Sequence, residues 1–193
     1  SRKDYEYIQS VAQSVQEDAL SHIIEDKKDC YTVFNASGWK RSEIVTVPNE
    51  RAGIYRDEQG NELDAQQAGT VTYVEVKDIP AMGTGTIIFE EKKAEETEAE
   101  FTICGKNIET PYYSMSMNGY GQITRLYDKT FARDLLPKGE RANVFQMFED
   151  KPLDNDAWDI DIFYQEKMRE ITDMTKFEVI ECGPLQMKIH MEW

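Results

Sequence analysis

The sequence predicts a mainly β protein, an antiparallel β-sandwich with one long helix at its N-terminus. Three observations predict it. Apolar residues recur at helical spacing once, ahead of residue 29, and no second helix of similar quality follows. From Cys30 onward the apolar period drops to two. The short alternating runs that follow are punctuated by glycine, proline and Asn-Gly signals, as turn-connected strands require.

The helix is read from "DYEYIQSVAQSVQEDALSHIIEDKK", residues 4–28, where Ile8, Val11, Ala12, Val15, Ala19 and Ile23 fall at three- and four-residue steps. Asp4 is expected to cap its start, and Lys27 and Lys28 to meet the negative pole of its dipole. A lone amphipathic helix cannot bury its stripe against itself. It therefore packs on the domain that follows or has lost its neighbours.

"CYTVFNASGWKRSEIVTVP" then reads as two strands around a turn at Gly38, with Pro48 stopping the second. "GIYRDEQGNEL" carries Gly60-Asn61, a hairpin signal. "TVTYVEVKDIPAMGTGTIIFEE" gives two more strands around Pro80, Gly83 and Gly85. The mixed charge run "EEKKAEETEAE" is expected to be a solvated loop or short exposed helix. The β pattern resumes in "FTICGKNIETPYYSMSMNGYGQITRLYDKTFARDLL", with a tight turn at Asn118-Gly119 and a further glycine at 121. "FEVIECGPLQMKIHMEW" supplies two final strands. The sequence stops at Trp193 inside the second of these, which suggests an artificial boundary.

Composition excludes several functions. Of 193 residues, 37 are acidic and 22 basic, for a net charge of −15. Phosphate binding needs clustered Lys and Arg, so nucleic acid is not an expected partner. An anionic membrane surface is disfavoured for the same reason, and no apolar run approaches the roughly 20 residues that span a bilayer. The polar N-terminus has no signal-peptide core. Cys30, Cys104 and Cys182 are odd in number and far apart, which fits free structural thiols in a reducing cytoplasm.

The stretch "NVFQMFEDKPLDNDAWDIDIFYQEK" concentrates the candidate chemistry, with Asp154, Asp156, Asp159, Asp161 and Trp158 close together. As a calcium loop it fails: position 6 is Asp159 where Gly is wanted, and position 12 is Gln165 where Glu is wanted. Asp159 and Asp161 would share a face if the segment were a strand. That spacing allows a glycosidase-type carboxylate pair, although a solvated acidic face is the commoner outcome. Zinc needs converging His, Cys or Asp ligands. The two histidines, His22 and His190, form no His-x-Asp or HExxH motif and read as structural. No GxSxG elbow or phosphate-cradling glycine loop is present. Trp39 and Trp193 read as core residues, whereas Trp158 among acidic neighbours is a candidate for stacking on a sugar.

Three blocks, "TVFNASGWKRSEIVTVP", "YYSMSMNGYGQITRLYDKTFARDLLP" and "ANVFQMFEDKPLDNDAWDIDIFY", occur in an order and spacing that resemble bacterial-type α-mannosidases of glycoside hydrolase family 38. The resemblance runs from about Tyr5 to Trp193, and the third block is its most specific part. It implies residues 1–28 as the last helix of a three-helix bundle, 29–108 as a small β-sandwich, and 109–193 as the first part of a large galactose-mutarotase-like sandwich. It also implies a parent enzyme that hydrolyses terminal α-linked mannose with retention, using zinc and an aspartate nucleophile in an upstream domain. None of those catalytic or zinc-binding residues maps onto this sequence, so the chain alone is expected to be inactive and to bind no metal. Asp156 and Trp158 are the residues expected either to shape the mannose cleft or to dock domains together. The rival readings are a stand-alone carbohydrate-binding sandwich and a structural module that pairs through a sheet edge. Self-association through open strand edges and the helix face is also expected.

Overall fold

The structure is a computed structural model that describes residues 2–24, 27–93, 99–155 and 157–193. The chain divides into two compact units, Ser1–Glu96 and Thr97–Trp193.

The first unit opens with helix α1 (Arg2–Ser21). It begins two residues before Asp4, which therefore sits in the first turn, where a carboxylate complements the helix dipole, and is not a preceding cap. It also ends before Lys27 and Lys28, and its last turn contains no basic residue. The end tightens: the amides of Ile23 and Ile24 both donate to the Leu20 carbonyl, each at 2.9 Å. None of its residues is buried. The stripe of Ile8, Val11 and Val15 is exposed, so α1 does not pack on the strands that follow.

Seven strands follow: β1 (Cys30–Phe34), β2 (Arg41–Val47), β3 (Ile54–Arg56), β4 (Glu62–Leu63), β5 (Ala65–Ala68), β6 (Val71–Ile79) and β7 (Thr84–Glu90). They form two antiparallel sheets, ordered β1-β7-β3-β4 and β2-β6-β5. The Gly60 hairpin is present between β3 and β4, with Gly60 at φ +86° and Asp57 accepting the amides of Gln59 and Asn61. The Gly38 turn is different. It joins strands of separate sheets, because β1 pairs with β7 while β2 pairs with β6.

The core explains this crossing. Val47, Val74, Val76 and Ile79 from one sheet pack with Tyr55, Ile87 and Phe89 from the other. Burying each such side chain contributes about 1.5–3 kcal/mol. Along β6 the buried positions alternate with more exposed ones, the period-two pattern of a strand with one covered face. Gly53 is required beside this core: a Cβ there would lie 2.2 Å from the Phe89 ring. Asn35, almost fully buried in the β1–β2 connection, donates to the carbonyls of Trp39, Ile79 and Pro80 and accepts from the Ser37 amide. One side chain thus pins two of the connections at which the chain changes sheet, β1–β2 and β6–β7. Trp39 itself is 68% exposed, which corrects its expected place in the core.

The second unit contains β8 (Thr102–Cys104), β9 (Asn107–Glu109), β10 (Tyr113–Met117), β11 (Ile123–Asp128) and β12 (Arg133–Asp134), an antiparallel meander in sequential order. Two hairpins follow. In one, β13 (Gln146–Phe148) pairs with β14 (Met168–Glu170); in the other, β15 (Lys176–Cys182) pairs with β16 (Met187–Glu192). Among the described residues of this unit, Ile108 is the one large apolar side chain that is fully buried. Trp193 is half-buried, as its core reading requires in part. Its ring meets Phe145 edge-on at 4.7 Å and its Nε1 donates to the Tyr120 carbonyl at 3.0 Å. No helix among the described residues is long and apolar enough to cross a membrane.

Candidate functional site

The acidic-aromatic block forms an excursion of the β13–β14 hairpin. Its base is closed by Gln146↔Glu170, Met147↔Arg169 and Phe148↔Met168, and by the Glu149 amide donating to the Lys167 carbonyl at 3.0 Å. Glu149 lies between Lys151 and Lys167, 2.5 Å from each ammonium. Their hydrogen bonds, Lys151 foremost, hold its carboxyl down to about 2.

Beyond the base the chain leaves the sheet. Asn155 takes a left-handed conformation, φ +55°, and its carbonyl accepts the amides of Trp158 at 2.7 Å and Asp159 at 3.0 Å. Asn is among the few side chains that tolerate this region. A 3-10 helix, Ile162–Glu166, then returns the chain to β14. Asp161 precedes that helix and accepts the Leu153 amide at 2.8 Å, drawing the two limbs together. The Tyr164 ring closes on Phe148 at 5.2 Å.

Asp159 and Asp161 are therefore not on a strand, and the shared strand face inferred from their spacing does not exist. Asp161 is half-buried and bonded to backbone, while Asp154 and Asp159 are exposed. Asp156 lies outside the described residues. Trp158 is 89% exposed at the tip, and Leu153, Ile160, Ile162 and Phe163 of the same excursion are exposed as well. An open indole face with apolar neighbours and a carboxylate fringe is suited to stacking on a sugar ring or to a protein contact.

A polar cluster beneath the base was missed in the sequence. Gln122, 1% exposed, accepts from Asn118 Nδ2 and Arg141 Nη1, both at 2.8 Å, and donates to Glu170 Oε2 at 3.2 Å. Arg141 grips the Glu170 carboxylate through both guanidinium nitrogens, at 2.9 and 2.8 Å. That fork, with the Gln122 amide, lowers the carboxyl's pKa, and the same pairing raises that of Arg141. Only the Asn-Gly turn that carries Asn118 left a sequence signal. A buried Gln in a β-rich stretch leaves none.

The remaining candidates are bonded locally, each within its own unit. His22 Nδ1 lies 2.7 Å from the Asp18 carbonyl in one unit, and His190 Nε2 lies 2.9 Å from Glu192 in the other. No group of three or more His, Cys, Asp or Glu side chains among the described residues could hold a metal ion, so these residues do not fit a zinc site. The first unit has an acidic cleft of about 490 Å³ lined by Asp57, Glu58, Glu62, Asp64 and Glu75. Its one lysine, Lys77, pairs with Glu75 and Asp64.

Comparison with known proteins gives these features a setting. Residues 108–193 match the model of the glycosyl hydrolases family 38 C-terminal domain. The chain is 37% identical over 62 residues to an α-mannosidase of Canavalia ensiformis, a match spanning 32% of this chain and 6% of that protein. It also resembles the crystal structure of an α-mannosidase from Enterococcus faecalis V583, with TM-score 0.51 and 14% identity, over 86% of this chain and 24% of that one. The chain thus spans about a quarter or less of the proteins it matches. Fold and family match agree on a β-rich chain whose residues 108–193 are similar to the C-terminal domain of family 38 glycosyl hydrolases. More specifically, both the sequence relative and the structural neighbour to which the chain is similar are α-mannosidases.

Proposed function

We propose that this chain is scaffold of a retaining, zinc-dependent α-mannosidase acting on terminal α-linked mannose, and is inactive alone. The observation that carries the reading is the family 38 C-terminal domain match over residues 108–193, in a chain whose described residues assemble no metal cluster. Hydrolysis with retention needs a nucleophile and an acid facing one glycosidic bond. In this reading they and the metal reside elsewhere in a longer protein. Asp156 and Trp158 would border the mannose cleft from the sandwich side, supported by the exposure of Trp158 at the tip of the loop.

The test has two arms. Immunoblotting of source cells is expected to show a band several-fold above 22.4 kDa. In that longer protein, Asp156→Ala and Trp158→Ala are expected to weaken α-mannoside hydrolysis without loss of stability. Unchanged kinetics would remove the cleft role.

A second reading is favoured by the same exposed indole: a stand-alone carbohydrate-binding sandwich. It requires a native band at 22.4 kDa and a change in tryptophan fluorescence on titration with mannose. Self-association through the open stripe of α1 is compatible with either reading, and light scattering reports it.

A further inference from the structure

We infer that Gln122, Arg141 and Glu170 form a clamp that positions the Trp158 loop, so that Arg141 and Glu170 are positioning residues for the glycosidase site. The inference rests on the cleft reading proposed above. Arg141 lies on the segment that enters the excursion and Glu170 on the strand that leaves it. Their fork-to-carboxylate bonds at 2.9 and 2.8 Å tie the two limbs directly. Gln122, from the β10–β11 turn, bonds to both and fixes the pair to the meander. Neighbouring bonds brace the same place. Asn143 Nδ2 donates to the Gly121 carbonyl at 3.0 Å, Ile123 and Ala142 exchange backbone bonds, and the Ile171 amide donates to the Phe145 carbonyl. By contrast, among the described residues of the upper loop the bonds outside its 3-10 helix are single amide ones, from Leu153, Trp158, Asp159 and Tyr164, beside the one ring contact of Tyr164 with Phe148. A loop tied weakly at its tip inherits its placement from its base, and bidentate pairing is the geometry that fixes direction as well as distance.

The test runs on the 193-residue chain and on the full-length protein in parallel. Glu170→Gln removes the charge at nearly constant shape, and Arg141→Lys keeps the charge and removes the fork. The second variant serves if the first does not fold. In the 193-residue chain, hydrogen exchange at the amides of Leu153, Trp158, Asp159 and Tyr164 is expected to quicken on the order of tenfold, with β6 and β7 unchanged. In the full-length protein, KM for an aryl α-mannoside is expected to rise roughly tenfold with kcat within about twofold. Exchanging the pair, Arg141→Glu with Glu170→Arg, is expected to restore both readouts. Unchanged exchange in the loop overturns the clamp. Faster exchange with unchanged KM overturns the positioning role, and Trp158→Ala then locates the failure. If it raises KM, the cleft reading stands and the clamp is dispensable; if it does not, the cleft reading itself has failed.

Discussion

Gly121→Ala is the most informative single change in the second unit, because its neighbour Gly119 is an internal control. Gly121 has φ +76°, and a Cβ built on it would lie 2.7 Å from Trp193 Cζ2 and 3.1 Å from Met174 Sδ. Holding an L-residue in that conformation costs about 1–2 kcal/mol. The indole must also move, which weakens its edge-on contact with Phe145, worth about 0.5–1.5 kcal/mol. Its hydrogen bond to the Tyr120 carbonyl, worth about 1 kcal/mol net, is lost with it. The expected destabilisation is therefore about 3 kcal/mol, or about 2 M in urea midpoint for a slope near 1.5 kcal/mol/M. At Gly119 a Cβ would meet nothing within 4 Å, and its φ is not positive. Gly119→Ala should stay within about 0.5 kcal/mol. Urea titration, following Trp193 fluorescence in a background with Trp39→Phe and Trp158→Phe, reads both variants. Equal midpoints for the two, or a shift below about 0.7 M at Gly121, would refute the account of the turn.

Other outcomes follow from the same geometry. Ile87→Ala, at a fully buried position facing the opposite sheet, should cost about 2–5 kcal/mol in denaturant titration of the first unit. Asn35→Ala should cost about 1–3 kcal/mol, by removing the Nδ2 donor shared by the Trp39, Ile79 and Pro80 carbonyls and the acceptor of the Ser37 amide. Glu149 has an ordinary value of 4.5 and is held down to about 2 when folded, so its stabilisation is full above pH 4.5 and lost as pH falls through about 2. Glu149→Gln should thus lower the urea midpoint slightly at pH 6, with most of that effect gone by pH 2, and the effect at pH 6 should shrink in high salt. Trp158→Phe should remove the most red-shifted, most acrylamide-quenchable part of the emission, since that indole is 89% exposed. A blue-shifted lost component would contradict the exposed loop tip.

Much of the fold was legible because it rests on local pattern. The helix, the Gly60 hairpin, the turn at residues 118–122 and the final pair of strands all follow from period and turn chemistry. What was not legible depends on partners distant in sequence. The strand Ala65–Ala68 has no β-branched or aromatic residue and exists because β6 offers it an edge. Trp39 reads as core by type, yet the connection that carries it is fixed through its carbonyl, leaving the ring outside. Asp159 and Asp161 alternate as on a strand, but Asn155 turns the chain before them and a 3-10 helix follows. Gln122, Arg141 and Glu170 are scattered across 49 positions and carry no spacing signal at all.

The two units solve the burial problem differently, and the difference bears on what each does. The first closes two sheets over a shared apolar layer and can hold its shape through that core. The second has ladders, turns and a polar clamp, but Ile108 is its one fully buried large apolar side chain among the described residues. A sheet with so little covered surface gains little hydrophobic stabilisation from its own residues. Phe131, Tyr112, Leu153, Trp158 and Ile162 stay exposed on it, more apolar surface than a self-sufficient layer leaves open. Order in this unit must then come disproportionately from directional bonds. In such a unit the Arg141–Glu170 fork at the base of the loop has few apolar contacts to share its work, so the clamp proposed above makes the loop's placement sensitive to the loss of a single carboxylate.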